Sequence, residues 1–211
     1  MKTISIVAID SLQYSATAWA LDRTKKFFPN SPVIIVSDQE FYPCDLFLET
    51  EKFDRYGHSI LCLKALKGNL DTDYALFVQY DGFPVNADMW TDEYLNYDYI
   101  GAPWPWMPVG QNVGNGGFSL RSKRLIDLTD TLEPVYDQHP SQWLEDGMIG
   151  IHHRPWLESQ GIKFASGRLS HQFSHEHPFG YHKSFGVHDK ANMKYFLTPE
   201  EYTTWNNLLV K

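Results

Sequence analysis

Tyr74-Ala75-Leu76-Phe77-Val78-Gln79-Tyr80-Asp81-Gly82-Phe83-Pro84 is an apolar run that stops at a carboxylate, a glycine and a proline. Tyr74 to Val78 suit a buried strand, and the turn residues behind them make Asp81 the group delivered into a loop at its carboxyl end. In open α/β sheets ligands bind at that edge. A carboxylate mounted on a rigid strand suits a divalent cation, which can in turn hold a phosphate. The plainer alternative is that Asp81 only accepts turn hydrogen bonds ahead of Gly82.

Upstream of this strand the chain alternates. Ile4 to Ile9 reads as a strand and Ala16 to Phe27 as a helix with Ala16, Trp19, Ala20, Arg23 and Phe27 at helical spacing. Pro29-Asn30-Ser31-Pro32 is a turn before a second strand, Val33 to Val36. After an irregular passage, His58 to Leu66 reads as a helix leading through Gly68-Asn69 into the Asp81 strand. This β-α-β-α-β order predicts an α/β fold with a mostly parallel sheet and right-handed crossovers.

Downstream the chain is irregular and rich in Trp, Pro, Gly and His. Asp98 to Trp106 carries too much proline for a central strand and is expected to line a wall of the site. Gly114-Asn115-Gly116-Gly117 precedes a short strand, and Ser122 caps a helix from Lys123 to about Leu132. Such glycines permit tight turns and close backbone approach to a ligand. Glu145 and Asp146 open a further helix, where carboxylates also favour the helix dipole. Thr198-Pro199-Glu200-Glu201 starts the last helix, to about Leu209, with Thr198 as cap and Glu201 reaching back.

The 211 residues, 43% of them hydrophobic and 15% aromatic, are ample for a core and are read as a single domain, residues 1–211. A net charge of −8 leaves no excess of Lys and Arg to displace counterions from a nucleic acid. Cys44 and Cys62 show no metal-binding spacing and read as free thiols of a reducing compartment, which points to a cytoplasmic protein. No run approaches the ~20 apolar residues of a membrane span. No dinucleotide fingerprint or Walker loop appears, against NAD and ATP.

Four features could converge: Asp81, the glycine turn, the Glu145-Asp146 pair and a tail holding His171, His175, His177, His182 and His188. Histidine is a common metal ligand, so one of the five could complete a site begun by Asp81. Between 170 and 190 there are few aliphatic residues to fix the chain onto a core, so a tail that orders on binding is expected.

The strand ending in Asp, then Asn-Gly-Gly-Phe-Ser-Leu-Arg-Ser, then Glu-Asp-Gly, then Phe-Gly-Tyr-His, resembles the small bacterial and viral glycosyltransferases of the GT-A fold over about Ile4 to His188. It is more distantly similar to galactosyltransferases with Asp-x-Asp, Gly-Gly-x-Ser and Glu-Asp motifs in that order, and its length resembles the N-terminal glycosyltransferase domain of a large multidomain chlorovirus protein. The resemblance implies a Rossmann-like sheet with a nucleotide-binding half, about 1–100, and an irregular acceptor half, about 101–211. It also allows further domains of a parent polypeptide. Asp-x-Asp would fall on Gln79-Tyr80-Asp81, so Gln79 replaces the first acid and Asp81 remains to hold manganese or magnesium. A C-terminal histidine would complete the metal site, His182 first and His188 as runner-up. The donor would be a UDP-sugar and the acceptor a carbohydrate.

On the same basis Asn115, Gly116 and Gly117 face donor sugar and acceptor, with Glu145 and Asp146 beneath the reacting carbon, Asp146 as general base in an inverting reaction. Ala8, Asp10, Ser37 and Asp38 lie at strand ends, where the crevice would receive base and ribose. Lys64 either points at the diphosphate or is a solvated helix lysine. Two rival functions are a zinc or iron hydrolase using Asp81, His171, His175 and His177, and a non-catalytic sugar-binding module stacking glycans on Trp104, Trp106 and Trp143.

Overall fold

The computed structural model describes residues 2–133, 144–175, 185–188, 190 and 193–210, with backbone alone at 175, 187 and 188. Its centre is a six-stranded sheet in the order β3-β2-β1-β4-β7-β6, built from β1 (Ile4–Ile9), β2 (Val33–Ser37), β3 (Leu46–Glu49), β4 (Tyr74–Phe77), β6 (Tyr99–Ile100) and β7 (Ser119–Ser122). β1 to β4 run parallel, and β7 is antiparallel to both β4 and β6. This is the mixed, mostly parallel α/β sheet read from the alternation of the first half. β3 falls in the passage read as irregular: it is an edge strand with no fully buried residue, so its apolar signal is weak.

Period-two alternation sorts the central strands onto two cores. Ile4, Ile6 and Ala8 of β1 face α1 (Tyr14–Phe27) together with Leu76, Ile35 and Trp205. Val7 and Ile9 face the other way, with Val36, Ala75, Phe77, Cys62 and Ile126, beneath α2 (Arg55–Lys64) and α3 (Lys123–Thr129). Ser122 caps α3 by accepting from the Leu125 N–H, as its position before Lys123 predicts. A single α-helical turn, α4 (Glu145–Gly147), runs into a π-helical stretch, Met148–His152, followed by α5 (Arg154–Ser159).

The tail is anchored where it is described. α6 (Gly167–Phe173) leads into β8 (Ser174–His175), and β9 (Gly186–His188) lies between β8 and β5 (Gly82–Pro84) in a second sheet of order β5-β9-β8. Phe173 and Phe185 are fully buried, and the Phe118 ring stacks on Phe173 with centroids 5.0 Å apart. Aromatic rather than aliphatic side chains hold both ends, which corrects the expectation of little apolar attachment. α7 (Met193–Phe196) precedes α8 (Pro199–Leu208), which begins with the expected capping box of Thr198 and Glu201. Among the described residues no helix is long and apolar enough to cross a membrane.

Candidate functional site

β1 and β4 are neighbours at the centre of the sheet, and the chain leaving each at its carboxyl end enters the wall of a cavity of about 700 Å³. Asp10 to Gln13 follow β1, and Gln79 to Asp81 follow β4. Asp54, Arg55, His58 and Ser59 come from the start of α2. Trp104 and Trp106, Asn115 and Gly117, and Leu144 to Asp146 complete the opposite side.

Asp81 does not stand directly on the strand. β4 ends at Phe77, and a tight turn follows in which the Gln79 N–H donates to the Gly82 carbonyl at 2.9 Å and the Gly82 N–H donates back at 3.1 Å. Asp81 is the third residue of that turn. The turn is held from beneath, because the indole N–H of the fully buried Trp205 donates to the Tyr80 carbonyl at 2.7 Å. Burial, and next the Asp81 charge, hold the Tyr80 phenol above its ordinary range. Gly82 pairs with His188 across β5 and β9, so residue 188 is the backbone neighbour of the residue after Asp81. His182 lies outside the described residues.

Glu145 and Asp146 are placed by one assembly centred on β7. Arg121, 1% exposed, extends over the Phe77 ring at 3.9 Å, donates to Ser119 Oγ at 3.0 Å, and pairs with Glu145 at 3.1 Å. Gly116 lies against this pair: a Cβ there would stand 2.1 Å from Glu145 Oε1. Its N–H points at Asp146 Oδ2 at 3.4 Å, and the Gly147 N–H donates to Asp146 Oδ1 at 2.8 Å. Burial, then the Glu145 charge, push the Asp146 carboxyl up to about 7. Glu145 is therefore more than a helix-dipole acid, and Asp146 is a carboxyl tuned to exchange a proton near neutrality.

Other expected residues are distributed differently. Asp10 lines the cavity but is engaged by the chain entering α1, its carboxylate accepting from the Leu12 and Gln13 N–H groups at 2.7 and 2.8 Å and from the Thr17 hydroxyl. Ala8 and Ser37 are wholly buried, Asp38 accepts from the Tyr14 hydroxyl at 2.8 Å, and Lys64 closes α2. None of these four lines the cavity. Gln79 lines it, with its amide nitrogen 3.3 Å from His58 Nε2. Ser11, Thr17, Phe53, Arg55 and His58 line it without having been singled out. Thr17 carries a weak signal: it is one of two threonines, with Thr24, on the buried α1 face that also holds Ala16, Ala20 and Leu21.

His58, Cys62 and Glu145 present ligand atoms within 4.8 Å of one another. Burial, and then Glu145, raise the Cys62 thiol well above its ordinary value, so a neutral thiol beside an ion-paired carboxylate makes a poor ligand set. The hydrolase set does not assemble among the described residues: His171 is exposed on α6 away from the cavity lining, and His177 lies outside them. Trp143 is also outside them, while Trp104 and Trp106 stack at 6.3 Å on the cavity rim.

A glycosyltransferase involved in the glycosylation of the major capsid of PBCV-1 shares 10% identity with this chain at a TM-score of 0.52, covering 96% of this chain and 98% of that one. The galactosyltransferase LgtC, solved with donor and acceptor sugar analogues, shares 11% identity at a TM-score of 0.52, covering 98% of this chain and 96% of that one. The fold is accordingly that of the GT-A glycosyltransferases. No curated protein matches the chain. A family model matches residues 48–188, a span that includes Asp81, the glycine turn, Arg121 and the Glu145-Asp146 pair, and the chain belongs to that family, described as "Protein of unknown function (DUF5672)".

Proposed function

We propose that this protein is a metal-dependent glycosyltransferase that moves a hexose or deoxyhexose from a UDP-sugar to a hydroxyl of a glycan acceptor. The observation that carries the reading is the charge of the cavity at the carboxyl ends of β1 and β4. Asp10, Asp54 and Asp81 line it, together with Asp146 and a Glu145 already paired with Arg121, against Arg55 as the single Arg or Lys among the described lining residues. A nucleoside diphosphate entering such a wall is repelled unless a divalent cation accompanies it. Hard oxygen ligands of this kind fit manganese or magnesium, with Asp81 as the protein ligand and His182 or His188 as the second. When bound, the cation supplies charge neutralisation for the departing diphosphate.

The chain's own groups do the rest. Asp146, poised near neutrality, receives the acceptor hydroxyl proton in an inverting transfer; in a retaining one it faces the positive charge developing on the sugar ring. Glu145, fixed by Arg121, sets the field around it. Asn115 and Gly117, which line the cavity, face the sugar, and Gly116 between them lies outside the lining and packs against the Glu145 and Asp146 side chains. The reading treats residues 1–211 as one domain, with the nucleotide half about 1–100 and the acceptor half about 101–211.

Titration calorimetry of UDP with and without manganese tests it. UDP should bind the wild-type protein much more tightly with the metal, and Asp81→Ala should lose that enhancement. Equal, metal-enhanced affinity in the folded variant would remove Asp81 from the site, and no UDP binding under either condition would overturn the donor assignment. A non-catalytic glycan-binding module is the second reading, favoured by the 64% exposure of Trp106. It predicts no UDP-sugar turnover for Asp146→Asn to abolish.

A further inference from the structure

We propose that Trp104 and Trp106 form the acceptor subsite, a stacking platform for the apolar face of a neutral pyranose ring; this rests on the transferase reading above. Trp104 is 6% exposed and seated on backbone: a Cβ on Gly114 would meet its ring at 2.2 Å, and one on Gly150 at 3.2 Å. The outer edge of the indole thus packs against two glycines, one before β7 and one from the π-helical stretch that follows Asp146. Trp106 continues the stack, tilted 26° from it, yet is 64% exposed. A large exposed aromatic on a rim is informative where a scattered one is not.

The loop carrying the two rings is rigid for its length. Pro103 bridges Val113 at its base, the Trp104 N–H donates to the Asn112 carbonyl at 2.7 Å, the Gln111 N–H donates to the Pro108 carbonyl at 3.0 Å, and Gly110 takes a φ of +92°. Prolines 103, 105 and 108 restrict it further. A platform so fixed loses little entropy when a ligand settles on it.

Charge and topology select the occupant. The cavity beside the stack is lined by carboxylates with Arg55 as its single Arg or Lys among the described residues, which disfavours a phosphate-bearing ligand that brings no cation of its own. The start of α1 follows β1 at the centre of the sheet, whereas the tryptophans follow β6, on the far edge beyond β4 and β7. A nucleobase belongs to the former side and a polyhydroxylated ring approaching from solvent to the latter. One face of a pyranose is lined by C–H groups that pack on an indole, and its rim hydroxyls reach carboxylates such as Asp146.

Saturation-transfer NMR with the methyl glycosides of galactose, glucose, mannose and rhamnose, and with uridine, each run with UDP and manganese absent and present, tests this. At least one glycoside should receive saturation on its ring C–H protons from the wild-type protein. Trp106→Phe should keep it, Trp106→Ala should weaken binding about tenfold, and Trp156→Phe, at another exposed indole on α5, should leave it unchanged. Unaltered glycoside binding in Trp106→Ala overturns the proposal. So does loss of uridine rather than glycoside signal in that variant, which would give the stack to the donor. If no glycoside binds while metal-enhanced UDP binding persists, the subsite fails and the transferase reading stands; absence of UDP binding too removes both.

Discussion

Arg121 and Glu145 form an ion pair with side chains only 1% and 7% exposed, closed at 3.1 Å in the middle of the molecule. Ser119 Oγ and the Gly116 and Cys62 carbonyls accept three further guanidinium hydrogen bonds, and Phe77 and Tyr99 cover its faces. Burying two charges costs solvation that their attraction only partly returns, so a pair in this position is better explained by what it orients than by net stability. It orients the α4 turn on which Asp146 sits.

Breaking the pair from one side should therefore be severe. Arg121→Met or Glu145→Gln leaves a buried charge without its partner, at a cost of about 3–5 kcal/mol, which for a chain of this size is a fall of roughly 10 °C in melting temperature. Replacing both, as in Arg121→Met with Glu145→Leu, should recover much of that loss without recovering activity. Thermal melts of the three variants decide it; single variants as stable as wild type would mean the pair is not buried in solution.

The pH dependence of turnover should carry the signature of Asp146. A general base with its carboxyl near 7 is protonated and idle below that value, so activity should rise with pH through about 7 and level off above it. Glu145→Gln removes the second-largest cause of the upward shift and should move the rising limb to lower pH without abolishing it. A limb near the ordinary carboxylate range in the wild-type profile would show that Asp146 is not displaced.

Stability should show the same group with the opposite benefit. A carboxyl raised from 3.8 in the unfolded chain to about 7 in the folded one binds more protons when folded, so wild-type stability falls as pH rises through that window. Asp146→Asn resembles the neutral acid and lacks that loss. It should melt higher than wild type at pH 8 and match wild type near pH 3.5. Equal melting at both pH values would mean the carboxyl is not displaced. On the proposed role of Asp146, a residue that destabilises the fold is the expected trade for function.

What could be read from the sequence follows the range of the forces involved. β1, α1, β2 and β4, and the Ser122 and Thr198 caps, are written in local periodicity and in residues one to three positions apart, and they appear where that pattern places them. Asp81 is legible as a cavity residue in the turn after the strand, but the strand's end at Phe77 is not, because Val78 extends the apolar run past the ladder while still bonding to the Val7 carbonyl. The Arg121 to Glu145 pairing joins residues 24 positions apart and has no local pattern. A hint existed: Ser119 and Arg121 share one face of a strand that is buried throughout, and a buried arginine there requires an acid. Ala8, Ser37 and Lys64 were placed by strand-end and helix-face reasoning that fixes a position along an element but not the direction of its side chain.

Gly116 ties the backbone of the glycine turn to the whole constellation, and its replacement is the most specific single change. Its conformation is open to any residue, since the positive-φ glycines are Gly68, Gly110 and Gly161. The objection to a side chain is purely spatial: a Cβ would fall 2.1 Å from Glu145 Oε1, 2.9 Å from Arg121 Nη2 and 3.2 Å from Asp146 Cβ. The first two are the ends of an ion pair packed from every side, so neither can swing away cheaply, and the α4 turn must shift instead. Gly116→Ala should cost about 1–3 kcal/mol, the usual scale of overpacking. The folded fraction should bind UDP with manganese as wild type does, because Asp81 stands on a separate turn anchored by Trp205. Turnover should nevertheless fall by about a hundredfold, as expected when a general base is displaced by an ångström or so. Calorimetry and a turnover assay on the same preparation separate the outcomes. Normal turnover would show that Asp146 tolerates displacement and is not the proton acceptor, whereas loss of UDP binding together with turnover would show that the two turns move as one.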